Sequence, residues 1–293
     1  MLKPATLILI LLIFALSARA EPSTDCERAK ELDTRARALE PASARVAGYQ
    51  EITTLCANFN YFYKLGRAQQ QAGDAAGAKI SYEKARALVG DTRAEGLLYG
   101  RLAEVSLALD KADEAVAIAD VALALTQPDT PDWVHSVRKQ ADQRLSEQPI
   151  TADRITRSLV TSRAFANRPS LGASRAFAVR PRIHLHILFD TGKDSLTKKG
   201  RAQVAELGKA LSALPDNEVI QLLGHTDVGG FEFYTQRLSV MRAERVMDEV
   251  TAAYPKLAGR ITATGRGDKE PRYSQASDQN NILNRRVEVA LGK

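Results

Sequence analysis

The sequence lacks the short motifs that mark common enzyme and cofactor sites. It has no HExxH zinc motif, no GxxxxGKS or GxGxxG phosphate loop, and no pattern typical of a catalytic nucleophile or a glycosidase carboxylate pair. His184, His186 and His225 could meet on adjacent strands, but no cysteine pair or third carboxylate at ligand spacing accompanies them. Polar positions on the open face of a strand explain His184 and His186 better. We therefore expect no enzyme, no metal site and no cofactor.

Long apolar runs are also missing, except for one near the start of the chain. This run, Thr6 to Leu16, follows the basic Lys3 and precedes the small-x-small sequence Ala18-Arg19-Ala20. Because a membrane span needs about 20 apolar residues, residues 1–20 are predicted to be a secretory signal peptide instead. The mature chain would begin at Glu21, with no transmembrane segment and no cysteine for lipid attachment.

Cysteine is scarce, with only Cys26 and Cys56 in the chain. An even number in an exported chain favours a disulfide between them, because an oxidising compartment permits one. Closing that interval would stabilise the fold by roughly 3–4 kcal/mol in the chain-entropy model. The alternative is two separately buried thiols.

A general excess of one charge is absent as well. The formal net charge is +6, but residues 151–182 alone carry seven arginines against a single acid, Asp153. Since the basic excess is confined to this segment, the chain is not predicted to bind nucleic acid.

Residues 21–146 are predicted to be helical, because they are rich in alanine and have a 3.6-residue apolar period. They also repeat at an interval of 37 residues: Phe62, Leu65, Gly66, Gly73, Ala78, Tyr82 and Ala85 correspond to Tyr99, Leu102, Ala103, Asp110, Ala115, Ala119 and Ala122. Small residues at Gly66 and Ala78 would let two helices approach, with Tyr82 filling the gap. The pattern resembles the tetratricopeptide family, which implies stacked helical pairs that contact an unknown protein partner. A plain helical spacer is the alternative.

Residues 147–182 are predicted to be a linker of low order that contains prolines and arginines. Pro149, Pro169 and Pro181 interrupt regular structure there. A short amphipathic helix from Thr151 to Val160 is an alternative for part of it. The arginines could contact an anionic surface, although a solvated and extended tether is the favoured interpretation.

Residues 183–293 are predicted to form an α+β domain in the order β-α-β-α-β-β, a sheet with helices on one face. Alternating apolar residues indicate four strands, at 183–189, 218–224, 260–264 and 286–291. Apolar stripes at helical spacing indicate two helices, at 195–214 and 235–253. The sequence thus predicts two domains, an all-α repeat domain followed by an α+β domain.

Five sequence blocks of the second domain occur in the order typical of one family. They are FDTGKDSL (189–196), GHTDVGG (224–230), LSVMRA (238–243), GRGDKEP (265–271) and NRRVEV (284–289). Together they resemble the OmpA-like peptidoglycan-binding domain of outer-membrane protein A and peptidoglycan-associated lipoprotein. The resemblance covers about 110 residues. It implies noncovalent binding of peptidoglycan in the periplasm, at the cell wall and outer membrane of a Gram-negative-type envelope.

In that family the ligand is the meso-diaminopimelate of the peptidoglycan stem peptide, and the resemblance assigns its charged partners. Asp227 would bind the ammonium at the free end of diaminopimelate, and Arg242 would bind the neighbouring carboxylate as a fork. The residue types agree, because an ammonium and a carboxylate on one carbon need an acid and a base a few ångströms apart. The alternative is a structural salt bridge between Asp227 and Arg242.

The resemblance assigns five further residues to the same ligand. The backbone amides of Asp190 and Thr191 would help to hold it, and Asn284 and Arg285 would lie near the rim of the pocket. Thr235 stands where the family usually has asparagine, so it lacks the paired donor and acceptor of an amide. We expect a lower affinity, by about tenfold for one lost hydrogen bond.

The sequence therefore predicts a non-enzymatic protein whose C-terminal domain holds peptidoglycan and whose repeat module binds a protein partner. The alternative is an envelope scaffold. In that case the repeat module carries the function, and the C-terminal domain only localises it.

Overall fold

The computed structural model describes residues 24–90, 92–166 and 181–292. The predicted signal peptide at residues 1–20 lies outside the described residues, as do residues 167–180 of the predicted linker. Within the described part of the chain, no helix combines the length and the apolar character needed to cross a bilayer.

The N-terminal half of the described chain consists of helices that pack against their neighbours in sequence. They are α1 (Thr24–Arg37), α2 (Ala42–Leu55), α3 (Phe59–Gln71), α4 (Ala75–Arg86), α5 (Thr92–Ala108), α6 (Ala112–Thr126) and α7 (Asp132–Glu147). We call α1 to α7 the repeat module. Its helical character confirms the prediction for this half of the chain.

The contact between α3 and α4 shows why small residues recur in the module. A Cβ atom on Gly66 would lie 2.5 Å from the ring of Tyr82, which is fully buried. The predicted equivalence of Gly73 and Asp110 also has a structural counterpart, because both turn residues have positive φ angles, 81° and 57°. The module is therefore consistent with helical repeats, and the tetratricopeptide assignment stays a prediction.

A disulfide closes the first helical pair. It joins Cys26 on α1 to Cys56, which directly follows α2, and their Cα atoms lie 4.9 Å apart. Beside it, the hydroxyl of Tyr49 donates a hydrogen bond to the buried carboxylate of Asp33 at 3.1 Å. Burial raises the pKa of Tyr49 to about 12, so this hydroxyl remains a donor at neutral pH.

The C-terminal half contains a four-stranded mixed sheet. In chain order its elements are α8 (Ala152–Ala166), β1 (Arg182–Leu185), α9 (Lys198–Ser212), β2 (Val219–His225), α10 (Glu232–Ala253), β3 (Ile261–Gly267), α11 (Asp278–Asn284) and β4 (Val287–Gly292). The strand order is β1-β4-β2-β3, with β2 parallel to β3 and β4 antiparallel to both β1 and β2. This confirms the predicted α+β domain, with the short helix α11 added before the last strand.

The prediction of a low-order linker is wrong for residues 152–166. They form α8, which packs between α6 of the repeat module and α9 of the C-terminal half. Its residues Ile155 and Leu159 are 1% and 2% exposed and belong to the same core as the apolar face of the sheet. Burying such side chains stabilises by roughly 1.5–3 kcal/mol each, which explains why an arginine-rich segment is ordered.

The opposite face of β1 is not open to solvent, contrary to the expectation for its polar residues. His184 is 3% exposed, and its Nε2 atom lies 3.1 Å from Asp120 on α6 and 2.7 Å from Nη1 of Arg272. Arg272, which precedes α11, also donates from Nη2 to Asp142 on α7 at 2.9 Å. We call Arg272, Asp120, Asp142 and His184 the Arg272 cluster. Through it, the repeat module and the C-terminal half share buried ion pairs.

Charge pairing keeps the acids of this cluster ionised. Burial alone would raise the pKa of Asp120 and of Asp142, but the positive charges of Arg272 and Arg138 outweigh it. Both carboxyl groups therefore have pKa values below their usual range. Removing Arg272 would leave the buried carboxylate of Asp142 without its ion-pair partner, while Asp120 would keep Arg138 at 2.9 Å.

Candidate ligand-binding site

A cavity of about 590 Å³ opens at the carboxyl end of β2. Its walls come from the segment after β1, the loop after β2, the first half of α10 and the junction between α11 and β4. Four of the seven predicted ligand residues line it: Thr191, Asp227, Arg242 and Arg285. We call it the first cavity.

Close packing between β2 and α10 positions the two central charges. A Cβ atom on Gly224 would lie 2.1 Å from the carbonyl oxygen of Ser239, so only glycine lets this strand and helix approach so closely. The loop between them contains Gly229 at a φ of 99°, a conformation that favours glycine. Asp227 stands at the start of that loop, and Arg242 lies on the helix that it leads into.

Arg242 presents a largely buried guanidinium to the first cavity. The residue is 8% exposed, its Nε donates to the carbonyl oxygen of Lys193 at 3.0 Å, and its guanidinium carbon lies 5.0 Å from the centre of the Phe189 ring. Burial lowers the pKa of Arg242 and the negative charge of Asp227 opposes that shift, yet an arginine stays protonated at neutral pH. Among the described residues, no carboxylate lies within ion-pair distance of it. Both Nη atoms are therefore available to a ligand.

Asp227 does not form the salt bridge with Arg242 that the structural alternative requires. Its Oδ2 atom accepts a hydrogen bond from Nη1 of Arg285 at 3.0 Å, and the two side chains are 42% and 44% exposed. Its Oδ1 atom has no donor in the part of the chain that the structure describes. The cavity thus offers one open carboxylate oxygen and one unpaired guanidinium.

Only one of the two predicted backbone amides is available. The amide of Asp190 donates to the carbonyl oxygen of Ser195 at 2.8 Å, and its carboxylate accepts from the Ser195 hydroxyl at 2.7 Å. Asp190 therefore closes its own loop, and the ligand role predicted for its amide is corrected to a structural one. Thr191 lines the cavity, and its amide has no acceptor within the described ranges.

Thr235 lies outside the first cavity. It is 4% exposed, and its Oγ1 lies 3.1 Å from the carbonyl oxygen of Glu232 and 3.2 Å from Oδ1 of Asp268. The hydroxyl therefore links the start of α10 to the loop after β3 by hydrogen bonding. The predicted ligand contact of Thr235 is not present in this arrangement.

Asn284 is fully buried, and its side chain has a structural role. Its Oδ1 accepts hydrogen bonds from the backbone amides of Arg272 and Tyr273 at 2.9 and 3.0 Å. Its Nδ2 donates a hydrogen bond to the carbonyl oxygen of Tyr273 at 2.8 Å. Because both ends of the amide are used, the predicted ligand role of Asn284 is corrected. It holds the backbone of Arg272 and Tyr273 against the end of α11 instead.

Sequence analysis missed Tyr234 as a site residue. It lines the first cavity, and its hydroxyl donates to the carbonyl oxygen of Gly192 at 2.9 Å, which joins α10 to the loop after β1. Its spacing could have revealed it, because residues four apart share one face of a helix and Leu238 also lines the cavity.

Two histidines form the inner wall of the first cavity, and both are neutral at neutral pH. Burial lowers the pKa of His186 to about 4 and that of His225 to about 3. Within the described residues, no group of three or more His, Cys, Asp or Glu side chains could hold a metal ion.

The mixed sheet, its covering helices and the charged cavity beside β2 define an α+β domain of the OmpA-like class. Comparison with known families agrees: residues 188–285 match the OmpA family. The C-terminal part of the chain is therefore an OmpA-family domain.

Two relatives are similar to about a third of the chain. Outer membrane porin F of Pseudomonas aeruginosa is 32% identical over 110 residues, which cover 38% of this chain and 31% of the relative. Outer membrane protein A of Shimwellia blattae is 39% identical over 87 residues, which cover 29% of this chain and 35% of the relative. The chain thus spans about one third of the length of these relatives.

A solved structure described as the cell wall anchor of the T6SS from Pseudomonas aeruginosa also aligns. It is 23% identical and covers 49% of this chain and 98% of its own. The TM-score of this alignment is 0.35.

Proposed function

We propose that the protein binds peptidoglycan noncovalently in the cell envelope, through the free end of meso-diaminopimelate. The observation that supports this most directly is the guanidinium of Arg242, which lines the first cavity together with Asp227 and has no ion-pair partner among the described residues. The free end of diaminopimelate carries a carboxylate and an ammonium on one carbon. Its carboxylate would accept hydrogen bonds from both Nη atoms of Arg242, and its ammonium would donate a hydrogen bond to the carboxylate of Asp227.

The energetics favour weak single sites. A hydrogen bond to a charged group contributes about 1.5–3 kcal/mol, and partial exposure of Asp227 places its contact toward the lower value. A wall presents the same ligand many times, so a protein that dissociates from one stem peptide meets another at high effective concentration. Retention at the wall then comes from ligand density.

The envelope is the proposed location, at the periplasmic cell wall and the outer membrane. The OmpA-family domain and relatives named as outer membrane proteins support this proposal, together with the predicted signal peptide. The proposed role is binding without catalysis.

A protein partner of the repeat module remains part of the proposal. Helices α6 and α7 of the module contact the C-terminal half through the Arg272 cluster. The surfaces of α1 to α5 therefore remain for other contacts. In the alternative, an envelope scaffold, that partner carries the function. Cross-linking in cells with photoreactive residues at Ile80 and Leu88, which are 60% and 45% exposed, would test for it.

Titration with small ligands tests the binding proposal. The protein from Glu21 onward should bind free meso-diaminopimelate more tightly than Nα-acetyl-lysine amide, which has an ammonium but no carboxylate beside it, or pimelate, which lacks both amines. Arg242→Ala and Asp227→Asn should each weaken diaminopimelate binding at least tenfold, since each removes a charge-assisted contact. Arg266→Ala, an exposed arginine on β3 outside the cavity, is the matched control. Equal affinity for the three ligands would contradict the proposal.

A further inference from the structure

A second cavity of about 410 Å³ adjoins the first one. It lies between the loop after β1 and the outer surface of α10. Gly192, Tyr234 and Leu238 line both cavities, so a single wall separates them. Tyr234 and Gly192 are the hydrogen-bonded pair within that wall. We call this space the second cavity.

Three exposed aromatic side chains lie at or just before the start of α10, and two of them line the second cavity. Phe231, Phe233 and Tyr234 are 89%, 79% and 52% exposed, and no other Phe, Tyr or Trp in the described ranges is among the exposed large apolar residues. Phe233 and Tyr234 line the second cavity with Met241. Single exposed apolar residues are ordinary, but an aromatic group beside a cavity indicates a surface that a ligand covers.

Cations complete the second cavity. Lys193 and Arg237 line it, and in the described part of the chain no carboxylate lies within ion-pair distance of either side chain. The third charged residue there, Asp194, has its carboxylate 3.5 Å from Arg245. The cavity therefore combines an apolar surface with a net positive charge, and it fits an anionic group on a short aliphatic stem.

We propose that the second cavity binds the residue that precedes diaminopimelate in the stem peptide, and that it selects the form with a free carboxylate. This inference rests on the proposed function. That residue is a D-glutamate linked through its γ-carboxyl group, so its α-carboxylate stays charged unless it is amidated. Two methylene groups, the γ-glutamyl amide bond and the side chain of diaminopimelate separate this carboxylate from the free end of diaminopimelate, a separation that suits two cavities with one shared wall. Lys193 and Arg237 bind the α-carboxylate, and Phe233 packs against the methylene groups.

The test compares three ligands on the protein from Glu21 onward. They are free meso-diaminopimelate, the tripeptide L-Ala-γ-D-Glu-meso-diaminopimelate, and the same tripeptide with the glutamate α-carboxyl amidated. The free-acid tripeptide should bind about fivefold more tightly than the amide, the magnitude of partly exposed ion pairs. The double variant Lys193→Gln with Arg237→Gln should reduce that ratio to about one. Both side chains are exposed, and the Lys193 contact with Arg242 uses its backbone carbonyl oxygen.

Matched variants separate a local effect from a general loss of positive charge. Lys199→Gln removes an exposed lysine on α9 outside both cavities and should leave the ratio at about five. Phe233→Ser should weaken both tripeptides together, because it removes the apolar surface and leaves the cations in place. A double variant that keeps the full preference would overturn the inference.

The design distinguishes this inference from the proposal beneath it. If diaminopimelate binds but the two tripeptides bind with equal affinities, only the proposal for the second cavity is overturned. If none of the three ligands binds, both proposals fail.

Discussion

The Nη1 atom of Arg285 lies 3.0 Å from Oδ2 of Asp227, so the acid proposed to bind the ligand ammonium already has a cationic neighbour. Arg242, its expected partner, has none of the described carboxylates beside it. A ligand with both charges on one carbon can complete this arrangement without displacing Arg285. It would use the second oxygen of Asp227 and the two Nη atoms of Arg242, and because its free end is a zwitterion it would leave the net charge of the site unchanged.

Replacement of Thr235 should alter stability and leave ligand affinity unchanged. Its hydroxyl contacts Asp268 and Glu232 and does not line the first cavity. Thr235→Val should lower the free energy of unfolding by about 1 kcal/mol, the value of one hydrogen bond. Titration with diaminopimelate and urea denaturation would measure the two effects, with Thr235→Ser as the control that keeps the hydroxyl. A tenfold loss of affinity in the Val variant would show that Thr235 reaches the ligand after all.

The Arg272 cluster should be a large determinant of stability. Arg272→Met leaves the buried Asp142 without its ion-pair partner and leaves Asp120 with Arg138 as its remaining arginine, so we expect the free energy of unfolding to fall by about 3–5 kcal/mol. Arg266→Met, at an arginine that is 43% exposed, should change it by about 0.5 kcal/mol or less. Urea denaturation followed by circular dichroism would compare the two variants. Similar small effects would mean that the two halves do not share this cluster in solution.

Acid should destabilise the protein in two stages. His186 and His225 have pKa values of about 4 and about 3 in the folded protein and about 6.5 when unfolded. Below about pH 6.5 the unfolded chain therefore binds more protons than the folded one, and stability falls as the pH falls. The depressed pKa values of Asp120, Asp142 and Glu288 should add a second loss as the pH falls below about 4.

Two measurements check the acid prediction. Urea midpoints between about pH 7.5 and about pH 4 should decline from about pH 6.5 downward. NMR titration of the imidazole protons should show that His186 and His225 do not become protonated above about pH 5. Ordinary titration of both rings near pH 6.5 would contradict the buried, neutral state.

Loss of the disulfide should destabilise the first helical pair. Cys26→Ser combined with Cys56→Ser opens a loop with a sequence separation of 30 residues, which corresponds to about 3–4 kcal/mol in the chain-entropy model. Thermal denaturation with and without dithiothreitol supplies the control: the reductant should lower the midpoint of the native protein and not that of the double variant. An unchanged midpoint in the double variant would show that the bond does not determine stability.

Local sequence patterns predicted the elements that frame the first cavity. Alternating apolar residues predicted β2, and an apolar stripe at helical spacing predicted most of α10. Because Asp227 and Arg242 lie at the start of the connecting loop and on that helix, their approach to one cavity followed from the order of elements. The sequence could not show that Arg285 would occupy one oxygen of Asp227, since β4 brings it there from a distant part of the chain.

The errors arise where side chains meet partners that the local sequence does not contain. In α8 the polar residues Arg154, Ser158 and Ser162 are buried beside Ile155 and Leu159, which become part of a core only against the sheet. Asn284 was expected at the ligand, but the loop at Arg272 and Tyr273 uses its whole side chain. Hydrogen bonds of this kind depend on the direction of each side chain, which composition and spacing do not specify.

Co-sedimentation with purified cell walls tests the central claim most directly. The protein from Glu21 onward would be mixed with diaminopimelate-type walls and, in parallel, with walls whose stem peptide carries lysine at that position. We predict that the protein sediments with the first and stays in the supernatant with the second, because lysine has no carboxylate for Arg242. Arg242→Ala should stay in the supernatant with both, and Arg266→Ala should behave like the native protein. Equal sedimentation with both walls, or full retention by Arg242→Ala, would contradict the claim that this cavity holds the wall.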